Sequence, residues 1–332
     1  DTSKINAAYS KVVEYYKNNN NLNNADKILA VESLGLEAES NQFDTSSADL
    51  SSTSLSKKIV TEVLLGVDPT EDKKTLESQI DENGNVEGSW GASSDVWTLY
   101  ALYVTSSEKA NLIANKLNDE LAASSVCGYE WGGTYYADYD TTGWVIEGLA
   151  VVNKEKYATT INKAIDYIKN NTTMTTTGWV TADNVDTQSQ VLEGMFAYDT
   201  NALLNDSYTV HPVDCLLNTQ LSDGSFPSGY NAEYTTAEVA KTLGTYKNGS
   251  VFEKAKKAYD KMMNPEQPDN TKPAQPTDTK KDSQSTNKVE TTNQKTTSVK
   301  TGDETNVVIF VSLSMVSGGL FLVLRKEYER VH

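Results

Sequence analysis

Seven aromatic residues and a close pair of carboxylates are the groups in this 332-residue chain best suited to holding or changing a small molecule. Trp90, Trp131, Tyr135, Tyr136, Trp179, Tyr230 and Tyr234 fall in turns or at the starts of helical stretches, with Asp138, Asp140 and Asp183 among them. Aromatic platforms beside acid side chains suit a glycan or a flat cofactor. The same residue types also wedge between helices as packing, because Trp and Tyr combine a large apolar face with a polar handle. Asp138 and Asp140 are the candidate catalytic residues. Against that role, Asp140 has a counterpart, Asp186, at the start of another helical stretch, where a carboxylate suits the helix dipole.

One further constellation has ligating side chains at a suggestive spacing. His211, Asp214 and Cys215 follow i, i+3, i+4, which puts them on one face of a helix, and all three are zinc-ligand types. Only one other histidine exists, His332 at the far end of the chain. The expectation is therefore a helix surface with a buried thiol, with no metal and no cofactor. Cys127 and Cys215 are the two cysteines, and either a single disulfide or two separate buried thiols fits them.

The elements that must position these residues are written as a repeat. Asp140–Val152 reads D-T-T-G-W-V-I-E-G-L-A-V-V, the start of a buried helix, and it recurs as Ser93–Val104, Asp186–Tyr198 and Tyr234–Tyr246. Trp97, Trp144, Gln190 and Glu238 share one column, at separations of 47, 46 and 48 residues. So steady a period predicts helical units, each burying its apolar face against its neighbours. Ser94, Thr141, Thr187 and Thr235 align where a hydroxyl could cap the first turn, with Gln190 and Glu238 completing capping boxes. Ala101, Gly148, Gly194 and Thr242 form a column of small residues. Gly in a helix interior costs about 1 kcal/mol against Ala, so its recurrence predicts close helix approach.

Each copy follows a turn rich in Gly and aromatics, preceded by a more polar amphipathic helix over 109–123, 154–170 and 210–220. Upstream, Ile5–Tyr16 has helical periodicity and Asp26–Leu36 resembles a degenerate first inner helix. Residues 37 to 55 read as a polar surface loop, and Leu55–Leu65 as another outer helix. Val251–Met263 reads as a closing amphipathic helix. The sequence thus predicts an all-α domain over residues 1–263, with about five inner helices.

Composition changes sharply after that. Residues 264–305 are rich in Pro, Thr, Lys, Gln and Asp, and cannot bury enough apolar surface to offset their ordering entropy. They read as a disordered stalk, able to reach on the order of 120 Å when extended. Val307–Leu324 carries no charge and spans roughly 27 Å as a helix, near a bilayer core. Arg325, Lys326 and Arg330 follow, which predicts a cytoplasmic end within 306–332 and a domain outside the membrane. The net charge of −17 argues against a nucleic-acid partner. The start at Asp1, without Met, fits a removed secretory signal.

Two resemblances follow from these residues. The tail is similar to a Gram-positive cell-wall sorting signal, with Ser298-Val299-Lys300-Thr301-Gly302-Asp303 ahead of the apolar span and the basic end. It departs from Leu-Pro-x-Thr-Gly at its first two positions. The resemblance implies cleavage by a sortase between Thr301 and Gly302 and attachment of Thr301 to peptidoglycan; a plain membrane anchor is the alternative.

Residues 1–263 resemble the α/α-toroid superfamily of terpenoid cyclases, protein prenyltransferase β subunits, complement thioester domains and cobalamin carriers. The resemblance rests on residues 79–91 and on Gln220-Leu221-Ser222-Asp223-Gly224-Ser225-Phe226. It implies an α/α toroid and leaves the activity open. Asp138-Tyr139-Asp140-Thr141-Thr142 resembles the D-x-D-D-T motif of class II cyclases, with Thr141 in place of the third acid; by that resemblance Asp140 would be the general acid. The His211 trio departs from the prenyltransferase zinc spacing. Cys127-Gly128-Tyr129-Glu130 resembles the thioester motif with Glu in place of its Gln.

The expectation is a surface-displayed binding module that holds a small ligand, glycan or partner at its aromatic rim. It would be anchored to the cell wall or membrane. The alternatives are an enzyme of cyclase or lyase type using Asp140, and a purely structural spacer.

Overall fold

The computed structural model describes residues 2–39, 49–180 and 184–265, which fall in one compact unit. Residues 266–305 of the expected stalk, the expected sorting motif at Thr301 and Gly302, the apolar span 307–324 and Asp183 lie outside the described residues.

The described chain is mostly helical. Its eleven α-helices are α1 Thr2–Asn18, α2 Ala25–Ser33, α3 Ser52–Leu64, α4 Thr70–Ser78, α5 Ala92–Val104, α6 Ala110–Ser124, α7 Tyr139–Asn171, α8 Val185–Asn205, α9 Pro212–Asn218, α10 Ala232–Asn248 and α11 Val251–Met263. One antiparallel hairpin, β1 Cys127–Trp131 and β2 Thr134–Asp138, interrupts them. The sequence reading had no strand here. Gly132 and Gly133 both take positive φ, +57° and +78°, which is what a two-residue hairpin turn of the I′ kind requires.

α7 and α8 are each two helices joined at a kink, at Asn153 and Asp199 respectively. Before the kink, every residue of α7 from Asp140 to Ala150 is buried, as are most from Val185 to Phe196 in α8. After it, burial thins to one stripe: Tyr157, Ile161, Ala164 and Ile168. The inner-then-outer alternation of the repeat is thus visible within single elements.

Six buried segments pack in sequence: α2 on α3, α3 on α5, α5 on the first half of α7, α7 on α8, α8 on α10, and α10 back on α2. α3 corrects the sequence reading, which made Leu55–Leu65 an outer helix. Ser52, Ser56, Thr61 and Glu62 are buried in it alongside Leu55, Ile59, Val60 and Val63. Its polar face is not a solvent face.

The small-residue column does what its chemistry allows. A Cβ on Gly194 would sit 2.3 Å from the Gly143 carbonyl oxygen, and one on Gly143 would sit 2.5 Å from that of Gln190. α7 and α8 therefore touch backbone to backbone. Thr242 Oγ1 donates to Ser189 O at 2.8 Å, joining α10 to α8.

Capping differs from the expectation. The helices begin about three residues earlier than the hydroxyl column, so Asp138 caps α7 by accepting from Thr141 N–H at 2.6 Å, and Asn231 caps α10 by accepting from Tyr234 N–H at 3.1 Å. Gln190 and Glu238 fall six and seven residues past the N-cap positions Asn184 and Asn231, too far for a capping box, and bond to each other instead. α11 then packs against α2, α3, α5 and α10.

Candidate functional site

The inward positions of α5, α7, α8 and α10 form three tiers. The upper tier is Ser93, Asp140, Asp186 and Tyr234; the next, four residues further along each helix, is Trp97, Trp144, Gln190 and Glu238. The lowest, three residues further again, is Tyr100, Glu147, Glu193 and Lys241. Repeat spacing and helical pitch together give like positions the same phase on their helices.

Contacts join the tiers. Trp97 and Trp144 meet edge to face at 5.8 Å between ring centroids. Gln190 Nε2 donates to Glu238 Oε2 at 3.0 Å and to the Tyr234 hydroxyl at 3.3 Å. Tyr100 O–H donates to Trp144 O at 2.7 Å and approaches Glu147 Oε2 at 3.4 Å. Lys241 Nζ lies 3.1 Å from Glu238 Oε2 and 3.7 Å from Glu193 Oε2. Two cations flank Trp97, Lys57 Nζ at 4.5 Å and Lys241 Nζ at 5.7 Å from its ring centre. From α11, Phe252 stacks on Tyr100 and meets Trp97 at 6.0 Å, while Ser250 Oγ donates to Glu147 Oε1 at 2.6 Å. The space between these helices is occupied by aromatic and charged side chains.

The charge balance inside is uneven. Asp140, Asp186, Glu147, Glu193 and Glu238 are all buried, with Lys241 the buried cation among them. Burial raises the Asp140 carboxyl well above the ordinary range, helped by Asp138 and Asp186 beside it. Burial also raises Asp186, Glu147 and Glu193 against their hydrogen-bond partners. Asp138 rises to about 6 because burial outweighs the bonds it accepts from Thr141. Burial pulls the Lys241 pKa down, but Glu193, Glu238 and Glu147 more than reverse this, so the ammonium is kept. Asp140 Oδ2, Gln190 Oε1 and Glu238 Oε1 are buried without a hydrogen-bond partner.

The predicted aromatic residues divide. Trp131 and Tyr135, on the hairpin, are 50% and 45% exposed. Tyr135 O–H donates to Glu120 Oε1 at 2.8 Å, fixing its ring. Tyr136 stacks on the buried Tyr129 across the hairpin. Trp90 anchors the hairpin through its carbonyl, which accepts from Glu130 N–H at 2.6 Å. Trp179 meets Tyr139 edge to face at 5.6 Å. Tyr230 O–H donates to Asp186 Oδ2 at 2.7 Å, and its ring lies 6.1 Å from that of Tyr234. Tyr230, Tyr234, Asp186 and Asp140 thus meet at the first turns of α7, α8 and α10, while Trp131 and Tyr135 stand out on the hairpin that leads into α7.

His211, Asp214 and Cys215 do not assemble. His211 Nδ1 accepts from Val213 N–H as the α9 cap, Asp214 lies 3.7 Å from Lys4, and Cys215 packs where a Cβ on Gly178 would meet its Sγ. Among the described residues no group of three or more His, Cys, Asp or Glu is placed to hold a metal ion. Cys127 and Cys215 are free thiols; Cys127 is buried and its pKa raised by that burial.

Sequence reasoning missed the lowest tier. Its signal was a lone charged letter in an apolar run: V-I-E-G-L at Glu147, V-L-E-G-M at Glu193 and V-A-K-T-L at Lys241. Comparison with protein-family models, characterised proteins and solved structures finds no match to this chain.

Proposed function

We propose that this chain is a binding module displayed at a cell surface, which holds a small ligand or glycan at the aromatic mouth above its inner helices. The carrying observation is the hairpin: Trp131 and Tyr135 stay half exposed at its turn end, while its base at Asp138 leads into α7 and the helix-start cluster of Asp140, Asp186, Tyr230 and Tyr234. Exposed aromatic faces with the Tyr135 hydroxyl and the Glu120 carboxyl beside them favour a ligand that offers both an apolar face and hydroxyls. Behind the mouth, Trp97, Trp144, Lys241 and Phe252 occupy the interior, which favours binding at the rim over burial of a substrate.

The fold we infer is an α/α toroid. Its support is the succession of helix neighbours, which returns to α2, and the near-47-residue spacing of the tiers. Attachment would use the tail: cleavage after Thr301 by a sortase and transfer to peptidoglycan, with 307–324 as the membrane span. Mass spectrometry of muramidase-released wall fragments would show a C-terminus at Thr301 on this reading, and an intact Arg325–His332 tail if the chain is only membrane-anchored.

The binding reading is tested by applying the full chain to a glycan array and titrating it with haem and cobalamin. A signal that disappears in Trp131→Ala/Tyr135→Ala supports the rim; silence across all three, or a signal indifferent to that variant, removes it. One observation favours a second reading, an enzyme using Asp140 as general acid: its carboxyl is buried, holds its proton and leaves Oδ2 unpartnered. A folded Asp140→Asn chain with unchanged turnover would end that alternative.

A further inference from the structure

A separate cleft of about 300 Å³ lies where the end of α1 meets the starts of α2 and α10. Its walls include Tyr15, Tyr16, Asn20, Asn21, Lys27 and Glu233. The volume sits at the lower end of the roughly 300–1,000 Å³ of small-molecule sites. None of the residues considered for the aromatic rim lines it.

Its chemistry is unusual for this strongly acidic chain. The two charged groups in its wall neutralise each other, Lys27 Nζ lying 2.8 Å from Glu233 Oε2. An anion would need an unpaired cation, and a cation an unpaired carboxylate; the cleft offers neither. What remains is amide and phenol. Asn19 Nδ2 donates to Tyr15 O at 2.8 Å and Asn18 Nδ2 reaches Glu14 Oε1 at 3.3 Å, so those two amides are engaged locally. Asn23 accepts from Lys27 Nζ, and Asn24 caps α2. Asn20 and Asn21 have no such role: among the described residues their side chains make no hydrogen bond, and both are exposed. A primary amide presents two donors and a carbonyl acceptor side by side, which matches adjacent hydroxyls that each donate and accept.

The aromatic wall is held firmly. Tyr15 and Tyr16 cross at 88° with centroids 5.2 Å apart. Tyr16 is buried, while Tyr15 packs on the turn at Gly224, where a Cβ would meet Tyr15 Cβ at 3.2 Å. The Asp223-Gly224-Ser225-Phe226 turn thereby fixes the platform: a side chain at Gly224, already at φ +94°, would also run into Lys11 O at 2.3 Å.

We propose that this cleft binds a neutral oligosaccharide, with the amides of Asn20 and Asn21 on vicinal hydroxyls and Tyr15 as the ring platform. It is a second site, independent of the Trp131 and Tyr135 rim.

The test titrates the isotopically labelled full chain with chitotriose, maltotriose and mannotriose, with a heparin tetrasaccharide and fully deacetylated chitotriose as anionic and cationic comparators. Side-chain amide signals of Asn20 and Asn21 report the site in the parent chain, and backbone amide signals of Tyr16 and Lys27, which also line it, report it in every variant. At least one neutral trisaccharide should move them saturably. Asn20→Ala/Asn21→Ala, both on exposed loop positions, should weaken that binding by about tenfold or more, since two or more hydrogen bonds are lost. Trp131→Ala/Tyr135→Ala should leave it unchanged. The proposal fails if no neutral trisaccharide shifts these signals at millimolar concentration. It fails equally if a charged comparator binds more tightly, or if affinity depends on Trp131 and Tyr135 and not on Asn20 and Asn21.

Discussion

Phe252 lies flat on Tyr100, with ring centroids 3.7 Å apart and planes 4° from parallel. Phe252 enters from the first turn of α11, and Ser250 beside it is tied to Glu147, so the last helix is pinned to the lowest tier at two neighbouring points. Truncating a fully buried Phe removes both its transfer energy and its packing contacts. Phe252→Ala should cost about 3–5 kcal/mol. Urea denaturation followed by tryptophan fluorescence reads the change, since Trp97 is 6.0 Å from the lost ring. A loss under 1 kcal/mol would mean that α11 is not part of the cooperative unit.

Gly194→Ala sets two effects against each other. Helix propensity alone favours Ala by about 1 kcal/mol. The contact opposes it: the new methyl would stand 2.3 Å from the Gly143 carbonyl oxygen, and that neighbour is backbone, which cannot rotate aside. Overpacking of this kind costs about 1–3 kcal/mol or more. The expected net result is destabilisation, read as a lower urea midpoint with an unchanged m-value. A raised midpoint would show that α7 and α8 are not in backbone contact.

Particular residues show how far the sequence could be read. The Trp97, Trp144, Gln190 and Glu238 column was legible because its period is long and steady and because a shared helical phase follows directly from helical pitch. Glu147, Glu193 and Lys241 were not, since a hydropathy pattern treats a charge as an exception to a core face and gives no hint that exceptions on three helices will meet. The hairpin was hidden by its short strands, although Gly132-Gly133 between aromatic and β-branched residues is a turn signal. α3 looked superficial because Ser56 and Thr61 resemble solvent-facing residues, whereas here their small size serves close packing. At the rim, residue types pointed to seven aromatic residues, but only the folded packing separates the exposed Trp131 and Tyr135 from Trp90, Tyr136, Trp179, Tyr230 and Tyr234, which are half-buried.

Lys241 is the counter-ion of the buried tiers. Removing it leaves Glu193 and Glu238 facing one another without their shared ammonium. Breaking a buried pair by deleting one partner costs about 3–5 kcal/mol, because the remaining charge is uncompensated. Lys241→Met should lose that much at neutral pH. The loss should shrink in Lys241→Met/Glu238→Gln, where the carboxyl nearest the lost ammonium is neutralised, giving a favourable coupling in a double-mutant cycle. Equal stability of the single and double variants would show that Glu238 is not the charge Lys241 compensates.

The buried acids also set the direction of the pH dependence. Asp140, Asp186, Glu147 and Glu193 have folded-state pKa values raised by burial, Asp138 reaches about 6 and Glu62 about 8. Each keeps its proton in the native state after the unfolded chain has released it at about pH 4. Their contribution to stability is therefore complete below pH 4 and is lost as pH rises toward each folded value, at up to about 1.4 kcal/mol per pH unit per group. The lowered carboxylates Asp49, Asp68, Asp81, Asp206 and Asp223 act in the opposite sense, but only below about pH 4. Urea midpoints should fall steadily from pH 4.5 to 8. Asp138→Asn keeps the helix cap, because Asn caps as well as Asp, and should flatten the slope between pH 4 and 6. Glu62→Gln should flatten it up to about pH 8. Midpoints that rise across this range would mean that the interior carboxyls are ionised and paired in the native state, and the charge balance of the three tiers would have to be redrawn.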